Sequence, residues 1–143
     1  MKILIINGPN LNLLGKREPE IYGSESIDDI KNWLISQSEF NDHDLEWFQS
    51  NHEGKIIDKL HNAINKKDGI IINAGALTHY SYSLRDAIAS TKIPTVEVHL
   101  SDIKKREKFR KKSVIQDVCI DQISGHGKKS YLIGIKLLLN QLN

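Results

Sequence analysis

Three pairs of side chains in this 143-residue sequence have the types and spacing for acid–base chemistry on a small anion. Arg17 and Tyr22 share one glycine-punctuated stretch, Glu97 and His99 lie two residues apart, and Arg106 and Arg110 lie four apart. A positive charge beside an ionisable group lowers its pKa by ~1 to 3 units, so a tyrosine next to Arg17 falls from about 10 toward neutrality and becomes a usable base. Residues two apart on a strand point to the same face, which sets Glu97 beside His99. An acid next to a histidine keeps the imidazolium available and fixes its orientation, as a general acid requires. The competing reading of His99, a histidine satisfied in the core, loses ground only because the neighbouring segments are polar. Arg106 and Arg110, one helical turn apart, make a two-arm clamp for a carboxylate or phosphate. Lys104, Lys105, Lys108, Lys111 and Lys112 surround the clamp. Alone, such a run reads as a solvated face. No aromatic ladder or nucleic-acid motif accompanies it, so no nucleic-acid partner is assigned.

These residues need a scaffold, and the chain alternates short Val/Ile-rich runs with amphipathic stretches, the pattern of repeated βα units around a parallel sheet. The expected strands are Lys2–Asn7, Asp44–Gln49, Gly69–Asn73, Thr95–His99 and residues 116–123. The first helix should begin at Ser26, which with Asp29 makes a capping box ahead of Ile27, Ile30, Trp33 and Leu34. A second covers 53–66 with Ile56, Ile57, Leu60 and Ile64 inward, and a third starts near Ser81 and ends before Pro94. A short basic fourth spans 103–112, and the last runs from Lys128 to the end. The last carries apolar residues around more of its cylinder than one core face needs. Burial in an oligomer and deep burial in its own fold explain that equally well.

In an open parallel sheet, ligands bind beyond the carboxyl ends of the strands. Here those positions hold Asn7 to Asn10 after the first strand, Asn73 to His79 after the third, and His99 to Ser101 after the fourth. Residues 8–23 show no hydrophobic periodicity over a length that compact folds reserve for lids and binding loops, the alternative being a floppy surface excursion.

Length fits one compact domain, and the composition, 39% hydrophobic and 27% charged, is that of a globular chain. A net charge of +2 assigns no partner by itself. The lone Cys119 reads as a core thiol in a reducing compartment, and the apolar run after Met1 is too short for a signal segment or membrane span, so a cytoplasmic protein with no membrane partner is expected. The six histidines contain no His-x-x-x-His pair, and no metal is assigned.

Several motifs in one order resemble the type II 3-dehydroquinate dehydratases. They are Asn7-Gly-Pro-Asn-Leu, Gly15-Lys-Arg-Glu-Pro with Tyr22-Gly23, Gln49-Ser-Asn-His-Glu-Gly54, Asn73-Ala-Gly with Thr78-His79, Arg85-Asp86-Ala87, Glu97-Val-His-Leu-Ser101 and Arg106-Glu-Lys-Phe-Arg110. The resemblance covers nearly the whole chain and implies a flavodoxin-like α/β fold, five parallel strands in the order 2-1-3-4-5 with helices on both faces, over one catalytic domain, residues 1–143. It implies removal of water from 3-dehydroquinate through an enolate to give 3-dehydroshikimate, with no cofactor. Tyr22 then matches the base, Arg17 the group that promotes its ionised form and stabilises the transition state, Asn10 a residue holding the enolate, and His99, supported by Glu97, the acid. Asn73, His79, Arg106 and Arg110, with the backbone amides of Leu100 and Ser101, match the substrate-binding set. Asp86 matches an acid that reaches in from a neighbouring subunit of a dodecamer built from trimers.

The chain departs from the family pattern at Lys104, Lys105 and Lys108, which add positive charge near the clamp, and at Leu77, Val114 and Ser130, which bear on packing. A rival of another class is a flavodoxin-like binding or signalling module without catalysis. A phosphoacceptor module needs an acidic cluster after the first strand, and a flavin module a Ser/Thr-rich phosphate loop. Residues 7–10 supply neither.

Overall fold

The computed structural model describes residues 1–16 and 18–143, and for Tyr22 the backbone alone. Five strands, β1 (Lys2–Asn7), β2 (Asp44–Gln49), β3 (Gly69–Asn73), β4 (Thr95–His99) and β5 (Asp121–Ser124), form one parallel sheet in the order β2-β1-β3-β4-β5. The helices are α1 (Pro19–Tyr22), α2 (Ile27–Ile35), α3 (Glu53–Ala63), α4 (Tyr82–Thr91) and α5 (Lys129–Leu142). This is the doubly wound, flavodoxin-like arrangement expected above.

Alternation along the strands divides the core in two. Ile3, Ile5, Ile71, Val96 and Val98 face α2 and α5, packing with Ile30, Leu34, Tyr131, Ile135 and Leu138. Leu4, Ile6, Ile70 and Ile72 face α3 and α4, packing with Ile56, Leu60, Leu84 and Ile88. β1 and β3 are apolar on both faces because both are covered. The α2 start is as expected: Ser26 accepts from the Asp29 N–H while the Asp29 carboxylate accepts from the Ser26 N–H. On α5, Tyr131, Ile135, Leu138 and Leu139 are buried, whereas Leu132, Leu137 and Leu142 are partly so.

Three expectations are corrected. α3 ends at Ala63, so Ile64 leaves the helix and stands exposed instead of facing inward. The fifth strand starts at Asp121, the residue aligned with Val96 of β4, and 116–118 form a 3-10 turn in its place. The Ser113 hydroxyl draws that turn together by accepting from the Ile115 and Gln116 N–H groups, while Asp117 pairs with Arg85 of α4. Residues 103–112 form no α-helix. They make two 3-10 turns, Ile103–Lys105 and Lys108–Lys111, separated by an extended Arg106. Like charges four apart, Lys104 with Lys108, Arg106 with Arg110 and Lys108 with Lys112, oppose a continuous helix.

The first part of the 8–23 segment, residues 8–14, is better anchored than a surface excursion. Leu11 and Leu14 are buried in the α2/α5 core, the first within a 3-10 turn, and α1 follows. The turn after β1 also meets the turn after β3 backbone to backbone. Gly8 N–H donates to the Asn73 carbonyl, and a Cβ on Gly8 would lie 2.4 Å from the Ala74 oxygen. Gly75 answers from the other side with a left-handed φ of +60°, and a Cβ there would lie a tight 3.0 Å from the Pro9 carbonyl oxygen.

Candidate active site

A cavity of about 180 Å³ opens where β1, β3 and β4 end. Its wall takes Pro9, Asn10 and Leu11 from the first segment, Asn73, Gly75, Ala76 and His79 from the second, and His99, Leu100, Ser101 and Ile103 from the third. Arg106 and Arg110 complete it. Arg106 reaches it from the extended break itself and Arg110 from the second 3-10 turn, so the two do not share one helical face.

His99 in this wall is buried, and behind it lies the buried Glu97. His99 Nε2 is 2.5 Å from Glu97 Oε2, and the same oxygen accepts from Gln122 Nε2 at 2.9 Å. The other oxygen accepts from the Ser113 hydroxyl at 2.8 Å. Thus a buried carboxylate, which can only accept, meets three donors from three segments. The arrangement commits Nε2 of His99 and leaves Nδ1 as the ring nitrogen for proton transfer. The Leu100 and Ser101 carbonyls accept from the Gly127 and Gly125 N–H groups, which pins the backbone just past the acid.

His79 is a different kind of histidine. Its Nδ1 lies 2.7 Å from the Lys112 carbonyl, so that nitrogen carries the proton, and desolvation, helped by the nearby His99 and Arg110, lowers its pKa from the ordinary value. A neutral ring with Nδ1 protonated offers Nε2 as an acceptor. Phe109 packs edge-on against the ring at 5.9 Å, and the Arg110 guanidinium lies over the Phe109 face at 4.6 Å. Arg110 Nε is also paired with Glu107.

Asn10 is held in the left-handed region at φ 70°, which asparagine tolerates, and its N–H donates to Asn51 Oδ1 at 2.9 Å. Gln49 Nε2 donates to that same oxygen and to the Gly8 carbonyl. The motif at 49–54 therefore supports the turn carrying Asn10.

The structure thus gathers Asn10, Asn73, His79, His99, Leu100, Ser101, Arg106 and Arg110 around one cavity, with Glu97 behind His99. Arg17 and the Tyr22 side chain lie outside the described residues. Asp86 does not line the cavity and is exposed on α4. Sequence reasoning gave no role to Ser113, Gln122 or Tyr131. Of these, only Tyr131 carried a signal, as the one aromatic residue of the last helix. Among the described residues, no group of three His, Cys, Asp or Glu side chains is placed to hold a metal ion.

A flavodoxin-like sheet whose switch point holds a carboxylate-backed histidine, a neutral histidine and two arginines defines a class of acid–base enzymes acting on small anions. Residues 1–139 match the family Dehydroquinase class II, and the chain belongs to that family. It is 56% identical over 138 residues to the 3-dehydroquinate dehydratase of Caldicellulosiruptor bescii, covering 96% of this chain and 95% of that one. To the enzyme of the same name from Prochlorococcus marinus it is 54% identical over 142 residues, covering 99% and 97%. The crystal structure of type II dehydroquinase from Butyrivibrio crossotus superposes with a TM-score of 0.94 at 50% identity, covering 97% of each chain.

Proposed function

We propose that this chain is a type II 3-dehydroquinate dehydratase, a hydro-lyase of the shikimate pathway, acting as one catalytic domain over residues 1–143. The observation that carries the reading is His99, backed by the buried Glu97, in the wall of a cavity that also collects Arg106 and Arg110. Tyr22, its ionised form favoured by Arg17, takes the proton next to the ketone. The electron pair moves onto the carbonyl oxygen as an enolate, which Asn10 helps to hold. The enolate then collapses, the C–O bond to the departing hydroxyl breaks, and His99 gives that oxygen a proton so that it leaves as water. Glu97 balances the imidazolium before the transfer. Arg110, Arg106 and the amides of Leu100 and Ser101 hold the anionic substrate, and Asn73 and the neutral His79 meet its hydroxyls.

Asp86 is read as serving a neighbouring subunit's cavity, within a dodecamer of trimers. Its exposure on α4, away from its own cavity, favours that reading, as do the exposed Tyr80 and Tyr82 next to it. Light scattering checks it, and a fully active monomer would contradict it. The cytoplasm is the compartment that fits an enzyme whose only cysteine has no partner within the chain, and cell fractionation tests this.

The activity is tested by incubating purified protein with 3-dehydroquinate in the presence of a chelator and following the ultraviolet absorbance of the conjugated enone. A rise proportional to enzyme is expected. No rise from folded, assembled protein would overturn the reading.

A further inference from the structure

Helix α5 contributes no residue to the cavity wall, yet one of its side chains is joined to that wall by hydrogen bonds. Tyr131 is fully buried, and its ring packs 5.5 Å from that of Trp47. Its hydroxyl accepts from Asn73 Nδ2 at 3.0 Å and donates to Asn7 Oδ1 at 2.5 Å. Asn7 and Asn73 are the last residues of β1 and β3 and lie side by side in the sheet. Each amide is anchored at its other end too: Asn7 Nδ2 donates to the Phe48 carbonyl at 3.3 Å, and Asn73 Oδ1 accepts from the Gly75 N–H at 3.3 Å. The chain of bonds therefore has a direction, from Asn73 through the phenol to Asn7.

A phenylalanine would fill the same space in this apolar layer without burying a polar atom. A buried hydroxyl is tolerated only where it satisfies its neighbours, and here those neighbours are the Oδ1 of Asn7 and the Nδ2 of Asn73, the ends of the two amides that face the phenol. An amide can flip, exchanging donor and acceptor at nearly no change in shape. Only Asn73 of the two lines the cavity. Burial also raises the pKa of the Tyr131 phenol, which keeps it protonated as the donor to Asn7.

We propose that Tyr131 is a positioning residue for the dehydration, fixing the amide of Asn73 so that it meets the substrate with a preset donor and acceptor. The inference rests on the dehydratase reading above. Its test is a double-mutant cycle of Tyr131→Phe and Asn73→Ala, with kcat, KM and thermal midpoint measured for all four proteins. Tyr131→Phe should raise KM by about 3- to 10-fold, the scale of one oriented hydrogen bond, with a smaller change in kcat. In the Asn73→Ala background the same change should add less than about twofold. An unchanged KM in Tyr131→Phe, or an equal loss in both backgrounds, would overturn the proposal and leave the hydroxyl a structural role.

If Tyr131→Phe does not fold, 3-fluorotyrosine at position 131 retains the packing while weakening the oxygen as an acceptor. KM should then rise by about twofold with an unchanged thermal midpoint, and an unaltered KM would overturn the proposal. Wild-type protein without activity would overturn the dehydratase reading and this proposal together. Active wild-type protein with an additive cycle would overturn this proposal alone.

Discussion

Two openings in the surface are built from neighbouring segments and differ in what they could do. The cavity at the ends of β1, β3 and β4 measures about 180 Å³, and the cleft between α4 and residues 112–122 about 580 Å³. In the cleft the charges answer one another: Arg85 is paired with Asp117 and donates to the Val114 carbonyl. Its cysteine, Cys119, is half-buried, and desolvation and the nearby Glu97 and Asp117 raise the pKa of its thiol, the opposite of what a nucleophile needs. In the smaller cavity two histidines and two arginines converge from separate segments, and a buried carboxylate backs one of the histidines. Catalytic potential follows from convergent, oriented ionisable groups, and volume is a poor guide to it.

That contrast can be broken most directly at the acid and the base. His99→Ala and Tyr22→Phe should each lower kcat by at least ~100-fold in the absorbance assay, the low end for a positioned proton donor or acceptor. Near-normal turnover in either would remove it from its role. Next in size, Arg110→Ala should raise KM by about 10-fold or more, the loss of a charge-assisted hydrogen bond, with a smaller effect on kcat. A change confined to kcat would mean that Arg110 acts on the transition state instead of holding substrate.

The basic rim predicts a smaller, salt-dependent effect. Lys104, Lys105 and Lys108 are exposed beside the cavity and should draw in an anionic substrate by steering, a contribution to association that salt screens. Raising ionic strength should lower kcat/KM by a few-fold while kcat stays level. The triple replacement of these lysines by glutamine should flatten that slope. An unchanged slope would make the lysines a solvated surface only.

His79 sharpens the comparison by titration. Its pKa is lowered from the usual histidine value of about 6.5, so the folded state favours the neutral ring. The unfolded chain then binds more protons, and the contribution to stability is complete above about pH 6.5 and is lost as pH falls below it. Proton resonances should show His79 titrating below the free-histidine value, and a higher value would contradict its role as a neutral acceptor. Smallest of all, Cys119→Ser in the cleft should change kcat by less than about twofold, because the thiol lies outside the cavity. A loss comparable to that at His99 would erase the distinction between the two openings.

Much of this was legible in the sequence where local chemistry decides structure. β1 and β3 are apolar through their centres because both faces are covered, and the reciprocal bonds of Ser26 and Asp29 fix the start of α2. The strand-end rule led to Asn10, Asn73, His79 and His99 before any fold was known. Part of what was misread depended on partners distant in sequence, since β5 begins only where it aligns with β4. By contrast, 103–112 breaks into two turns where like charges four apart oppose a helix. Ser113 and Gln122 stayed hidden because their only distinction is the carboxylate they meet, 16 and 25 residues away.

The central claim is that base and acid are separate groups, Tyr22 at the end of α1 and His99 on β4, working in sequence through an enolate. It is tested most directly by following, in deuterated water, exchange of the substrate proton next to the ketone alongside enone formation. His99→Ala should still exchange that proton while forming enone at least ~100-fold more slowly than wild type, and Tyr22→Phe should lose both. Exchange abolished in His99→Ala, or retained in Tyr22→Phe, would contradict the assignment.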